Sequence, residues 1–86
     1  MIDYTMIPEH CRESLQAYIE TGRPTGSFLR AVLCDSLVQA FGQADSINRN
    51  RLTDYGAFLH QQAPIGCWGS LERVKAWIAK GGLKGR

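Results

Sequence analysis

Two stretches of the chain pair glycine with serine, the first of them between arginines, and such residues suit anion binding at the start of a helix. The first is Gly26-Ser27 between Arg23 and Arg30, and the second is Gly69-Ser70. Unpaired backbone N–H groups at a helix N-terminus can hold a phosphate together with a serine hydroxyl. Glycine lets the phosphate approach the backbone because it has no side chain in the way. Plain helix capping is the commoner use of these residues. The predicted ligand-binding residues are Arg23, Thr25, Gly26, Ser27, Arg30, Trp68, Gly69 and Ser70.

Other chemistry has less support in the sequence. Trp68 could stack on a nucleotide base, although a tryptophan in such a loop more often closes the end of a small core. The two histidines are His10 and His60, and the adjacent His10 and Cys11 point to different parts of a helix. A nucleophilic pair of a cysteine with a histidine that meet only in the fold stays open, but no motif marks one. We therefore predict no catalytic residue, no metal site and no cofactor, and a protein that is not an enzyme.

Apolar periodicity and capping residues predict an all-α fold. Asp45 and Ser70 are expected N-caps, and helices are expected to end at Gly22, Gly42 and Gly81-Gly82. The segment from Phe28 to Phe41 is apolar at ten of its fourteen positions, so a helix there would be apolar on nearly every side. Gly56 weakens the next helix, and it is a position where a neighbouring helix can approach closely. The predicted helices lie at about 8–21, 27–41, 46–62 and 70–80, and a basic tail, expected to fray, follows at 81–86.

The apolar second helix sets the expected architecture. We place it at the centre of a small bundle of four helices that forms a single domain over residues 1–86. Three short neighbours cannot cover such a helix in a chain of 86 residues. The sequence therefore predicts a homo-oligomer, at least a dimer, in which a second copy covers the remaining apolar surface.

Composition and charge narrow the function classes. No apolar run approaches a membrane span and the N-terminus does not resemble a signal peptide, so we expect no membrane association and a cytoplasmic protein. The three cysteines form no C-x-x-C pair, which agrees with that location. Residues 1–48 carry a net charge of −3 and residues 49–86 a net charge of +5. The basic half could attract anions, or it could pair with the acidic half. A nucleic-acid partner is disfavoured, because the exposed positions of the third predicted helix mix both signs.

A set of short pieces spans nearly the whole chain. They are Ile7-Pro8-Glu9-His10, Tyr18-Ile19-Glu20, Gly22 with Pro24, Gly26-Ser27-Phe28-Leu29, Ala31-Val32-Leu33, Ala44-Asp45 with Asn48, Cys67-Trp68-Gly69-Ser70 and Trp77-Ile78. Together they resemble a family of small proteins of phages and prophages. The resemblance implies a phage context and location in the host cell, and it supplies no activity. In the family pattern a Ser or Cys and then Asn-Asp-Leu follow Ala-Val-Leu, whereas this chain has Cys34-Asp35-Ser36-Leu37.

Small non-enzymatic phage proteins often act by binding, and this context orders the hypotheses. The leading hypothesis is a protein that sequesters an anionic nucleotide signal of host defence. The alternative is a small inhibitor or host-takeover factor that binds a host protein. A DNA-binding regulator is the third hypothesis, and salt-dependent DNA binding would favour it.

Overall fold

The computed structural model describes residues 2–85, and within them every regular element is helical. The predicted all-α class is therefore confirmed. Among these residues, no helix is long and apolar enough to cross a bilayer. Six α-helices and two short 3₁₀ turns follow in order: α1 Glu9–Thr21, α2 Ser27–Leu33, α3 Leu37–Gln43, α4 Ser46–Arg49, α5 Leu52–Gln61, the turn Ile65–Cys67, α6 Leu71–Lys80 and the turn Gly82–Lys84.

The predicted helix at 27–41 is wrong as a single element, because the chain bends between α2 and α3. Asp35 adopts the left-handed conformation, with φ of 61°. The Ser36 N–H donates to the Ala31 carbonyl at 2.9 Å, and the Asp35 N–H donates to the Val32 carbonyl at 3.1 Å. This pair of bonds is a Schellman termination, and aspartate is one of the few residues besides glycine that tolerate it. The apolar run therefore forms two helices joined by a sharp bend.

The bend leaves α3 outside the hydrophobic core. Ala40 is buried on α3, whereas Leu37, Val38 and Phe41 are exposed. The expectation of one central helix at 27–41 is thus also wrong, since α1 contributes the most to the core. The buried core residues are Ile7, Cys11, Leu15, Tyr18, Ile19, Leu29, Leu33, Tyr55, Phe58, Leu59, Cys67, Val74 and Trp77.

The predicted helix at 46–62 is also divided, into α4 and α5. Asp45 caps α4 as the sequence predicts, because its side chain accepts the Asn48 N–H at 2.7 Å. The break follows at Arg51, whose backbone N–H closes a turn onto the Asn48 carbonyl at 3.0 Å. The Arg51 guanidinium reaches back to the Met6 carbonyl at 2.8 Å and pairs with Asp54. The residue at the break between α4 and α5 thus also contacts the N-terminal segment.

Two arginines hold the N-terminal segment on the domain. Arg12 donates to the Ile7 carbonyl at 2.7 Å and to the Thr5 carbonyl at 3.1 Å. Arg51 binds the Met6 carbonyl between them. These bonds satisfy three carbonyls that no helix pairs, so Ile7 can be fully buried beneath them.

The C-terminal glycines pack directly against the end of α1. Gly22 and Gly81 end α1 and α6 in the left-handed conformation, as predicted from their positions. Gly82 is buried against the backbone of α1, and the turn Gly82–Lys84 follows it. The expectation of a frayed tail at 81–86 is therefore wrong for residues 81–84, while Arg86 lies outside the described residues. Trp77 of α6 also binds the end of α1, since its Nε1 donates to the carbonyls of Tyr18 and Ile19, both at 3.1 Å. We call this close contact between the end of α1 and the C-terminal segment the crossing.

Replacing Gly82 by alanine is expected to destabilise the fold, because the backbones of α1 and the final turn leave no room for a side chain. The new Cβ would lie 2.6 Å from the Gly22 nitrogen and 2.7 Å from the Ile19 carbonyl oxygen. The φ of 70° is also unfavourable for alanine. We expect the free energy of unfolding, measured with urea, to fall by at least about 2 kcal/mol.

Gly56→Ala is the matched control for this experiment. A Cβ at Gly56 meets nothing within 4 Å, contrary to the expected close approach of a neighbouring helix. Because Gly56 lies inside α5, alanine should raise the free energy of unfolding by about 1 kcal/mol. An unchanged urea midpoint for Gly82→Ala would contradict the close crossing.

Candidate functional site

The predicted ligand-binding residues are distributed over separate depressions of the surface. Ser27 and Arg30 lie together in a groove of about 510 Å³ between α2, α3 and the start of α6. We call it the Arg30 groove. Its other polar lining residues are Cys34, Ser36, Gln39 and Gln43, and Leu71 forms an apolar edge. This groove is where the predicted site and a concave surface coincide.

Arg23 lies in a different depression. Its neighbours there include Glu9, Glu13 and His10 from α1. The two carboxylates that line this depression oppose the binding of an anion there, since like charges repel. Arg23 and Arg30 therefore do not converge on one ligand as the sequence suggested they could.

The opening of α2 uses its polar groups for internal contacts. The Ser27 hydroxyl does not cap the helix and instead donates to Gln43 Oε1 at 3.1 Å. The Thr25 hydroxyl bonds to the neighbouring Gly26 carbonyl at 3.3 Å. Gly26 itself is exposed, with open space where a Cβ would stand. Since α2 has only seven residues, its dipole attracts an anion less strongly than the dipole of the longer helix predicted at 27–41 would.

The Gly69-Ser70 pair is committed to structure. The Gly69 N–H donates to the Leu33 carbonyl at 2.8 Å, which satisfies a group at the C-terminus of α2. The Ser70 hydroxyl oxygen accepts the Arg73 N–H at 3.2 Å and so caps α6. Trp68 is half-buried against the core and lines another groove, beside Asp35. These contacts are those of helix capping and core closure, and ligand binding by Trp68, Gly69 and Ser70 stays a prediction.

A buried polar network around Asn48 is a feature that the sequence analysis missed. Asn48 is 3% exposed, and its Oδ1 accepts the Tyr55 hydroxyl at 2.7 Å. Its Nδ2 donates to Cys11 Sγ at 3.5 Å. The network thereby joins α1, α4 and α5 through one amide. The spacing of seven between Asn48 and Tyr55, two helical turns, was the available signal.

The network continues to the surface through a capping carboxylate. Asp45 accepts the Asn48 N–H and contacts His10 Nε2 at 3.1 Å. The Asn48 N–H, with a smaller contribution from His10, lowers the pKa of Asp45. Burial, with the Cys11 contact, raises the pKa of Tyr55, so this phenol stays protonated and donates.

The geometry of the cysteines and histidines determines which chemistry they can perform. Cys11 Sγ contacts Asn48, while His10 contacts Asp45, so these two groups do not form a nucleophilic pair. Cys67 is fully buried, and burial raises the pKa of its thiol to about 12, which disfavours the reactive thiolate. Among residues 2–85, no three His, Cys, Asp or Glu side chains are placed to hold a metal ion.

Comparisons of the chain with models of protein families, with curated proteins and with solved structures find no match. The resemblance to small phage proteins therefore stays a prediction.

Removing the Asn48 amide is expected to destabilise the protein. Asn48→Ala leaves the buried Tyr55 hydroxyl without its acceptor, and an unsatisfied buried group costs about 1–3 kcal/mol. We expect a loss in that range in the free energy of urea unfolding. The control is Ile47→Ala on the same short helix, which should change the stability by less than about 0.5 kcal/mol because Ile47 is exposed. Equal effects of the two substitutions would refute a structural role for the amide network.

Proposed function

We propose that this protein is a non-enzymatic binding protein that takes an anionic small molecule of the nucleotide class in the Arg30 groove. The observation that supports the proposal is the arrangement of a cationic side chain among uncharged hydrogen-bonding side chains in one concavity. Its volume of about 510 Å³ lies within the usual range for small-molecule sites.

Arg30 supplies the charge that an anion requires. It is exposed and takes part in no ion pair within the described residues. A guanidinium can bind phosphate oxygens through two parallel N–H groups, and such charge-assisted bonds are about twice as strong as neutral ones. Arg30 is therefore better placed for this role than Arg23, which has acidic neighbours.

The neutral side chains of the groove suit the remainder of a nucleotide. Gln39 and Gln43 carry both donors and acceptors, and Ser36 adds a hydroxyl. Donor–acceptor pairs of this kind match the edge of a base or the hydroxyls of a ribose. The edge of Leu71 offers an apolar contact for a ring.

Sequestration of a nucleotide signal of host defence is the biological role we propose for this binding. It requires affinity without turnover, which charge and hydrogen bonding can supply. The resemblance to small phage proteins motivates the choice of signal class. The role would be exercised in the cytoplasm of the host cell.

A second candidate function is inhibition of a host protein. The observation that favours it is the exposure of three large apolar side chains on α3, since unpaired apolar patches often mark protein interfaces. This surface is separate from the polar lining of the Arg30 groove. A nucleotide and a protein partner would thus occupy different sides of α3.

Nucleotide binding should depend on Arg30 and not on Arg23. We expect a panel of mono-, di- and cyclic dinucleotides to include a ligand that raises the melting temperature and releases heat in calorimetry. Arg30→Ala should weaken that ligand at least about tenfold, corresponding to one lost charge-assisted bond. Arg23→Ala is the matched control and should change the affinity less than about twofold, because Arg23 lies outside the groove.

The outcomes separate the hypotheses. If no nucleotide gives binding heat with the intact protein, the proposed function is refuted and a protein partner becomes the better explanation. If Arg23→Ala and Arg30→Ala weaken binding equally, the ligand lies at the opening of α2 instead of in the groove. Binding of duplex DNA that falls steeply with salt would favour a regulator.

A further inference from the structure

The exposed apolar face of α3 is a feature of the surface that the Arg30 groove does not explain. Leu37, Val38 and Phe41 are 70%, 84% and 53% exposed, and they lie within one turn and a half of each other. The helix carries no charged residue. Exposing such side chains together is unfavourable in water, at about 25 cal/mol for each Å² of apolar surface.

A small apolar groove opens beside this face, at the bend between α2 and α3. We call it the Asp35 groove. Leu37, Leu52, Leu59 and Trp68 supply apolar walls, and Asp35 is the acidic group in its lining. Its volume is about 140 Å³. Since an apolar cavity of about 150 Å³ can hold a benzene molecule, a phenyl ring matches this groove in size and polarity.

The other end of α3 presents a phenyl ring with a positive charge attached. The Arg49 guanidinium lies over the ring of Phe41, 5.0 Å from its centre. A cation over an aromatic face is held there electrostatically, so Phe41 and Arg49 present an apolar ring and a positive charge side by side on the surface. The start of α3 therefore lies beside an apolar groove that contains an acid, and the end of α3 carries a ring that is covered by the Arg49 cation from α4.

We propose that a second copy of this chain covers the face, with the two α3 helices antiparallel about a twofold axis. Antiparallel packing sets Phe41 of each copy against the Asp35 groove of the other. It also brings Arg49 of each copy toward Asp35 of the other, so that opposite charges meet twice. A parallel arrangement would instead place like groups together at both ends.

This complementarity between the surroundings of the two ends of α3 is the reason for choosing a second copy as the occupant. A twofold interface requires that each surface fit itself, with every contact made twice. The groove, the ring and the two charges meet that requirement without any further residue. From the sequence we expect a second copy to cover the apolar helix predicted at 27–41, and the proposed interface uses the part of that segment that forms α3.

The interface leaves the proposed ligand groove open. At 100° per residue, Gln39 and Gln43 lie on the side of α3 opposite Leu37 and Phe41. The two polar side chains line the Arg30 groove, and the apolar ones face the second copy. Self-association therefore does not depend on nucleotide binding, and each can fail without the other.

Sedimentation equilibrium of the intact protein tests the proposal. We expect a mass twice the 9.6 kDa of the chain at micromolar concentrations. Phe41→Ser should raise the dissociation constant of the dimer at least about 100-fold, because a symmetric interface loses the ring twice. The control is Ile65→Ser, which removes an apolar side chain that is 83% exposed on another element and should leave the dimer intact.

A separate substitution tests the proposed contact between Asp35 of one copy and Arg49 of the other. Asp35→Asn keeps a residue that tolerates a positive φ but removes the carboxylate. It should weaken the dimer a few-fold and reduce the dependence of the dissociation constant on salt. An unchanged salt dependence would overturn the proposed pairing of Asp35 with Arg49.

Oxidative cross-linking tests the orientation. Val38 lies close to the expected twofold axis, so Val38→Cys should form a disulfide-linked dimer under mild oxidation. The wild-type protein, with its native cysteines, and Ile65→Cys are the controls and should stay largely uncross-linked. A monomer at several hundred micromolar, or a dimer that Phe41→Ser does not weaken, overturns the proposal. A monomer that binds a host protein through Phe41 would assign the face to the second candidate function.

Discussion

The structure depends on the close backbone crossing between the end of α1 and the C-terminal turn. Gly22 and Gly82 lie against each other there with no room for a side chain. The Trp77 indole donates to two carbonyls of α1, and the Tyr18 hydroxyl donates to the Cys67 carbonyl at 2.6 Å. These buried bonds connect α1 to the turn that precedes α6 and to α6 itself. A domain of this size has a small core, so a few well-satisfied polar contacts within it carry much of the specificity of the fold.

The sequence predicted which segments are helical better than it predicted where each helix bends. Caps with familiar chemistry were readable, as at Asp45, Ser70 and Gly81. The termination at Asp35 was not, because a left-handed aspartate is not distinguishable from a helical one by composition. The Leu33 carbonyl is also satisfied by the distant Gly69 N–H, a tertiary contact that local pattern does not encode. An apolar run of fourteen residues was therefore assigned to one buried helix instead of two helices with different exposure.

The candidate site shows the same limit. Glycine and serine at a helix start serve both in capping and in anion binding, so the presence of these residues does not separate the two roles. The structure commits Gly69 and Ser70 to bonds within the chain, and it places Arg23 in a depression that Glu9 and Glu13 also line. Arg30 differs because the bend brings Gln39 and Gln43 to face it. That grouping depends on the turn at Asp35, and a helix continuous through residue 41 would not produce it.

The bend thus creates both surfaces to which we assign a function. Turning α3 away from the core costs the burial of Leu37, Val38 and Phe41, which a continuous buried helix would have gained. The Schellman bonds and the Ser27–Gln43 contact hold this arrangement from the two ends of α3. A second copy packed on the apolar side would restore the lost burial without disturbing the polar side. In the dimer that we propose, the exposed face of α3 therefore becomes part of a shared apolar core, because each copy encloses the side chains that the bend exposes in the other.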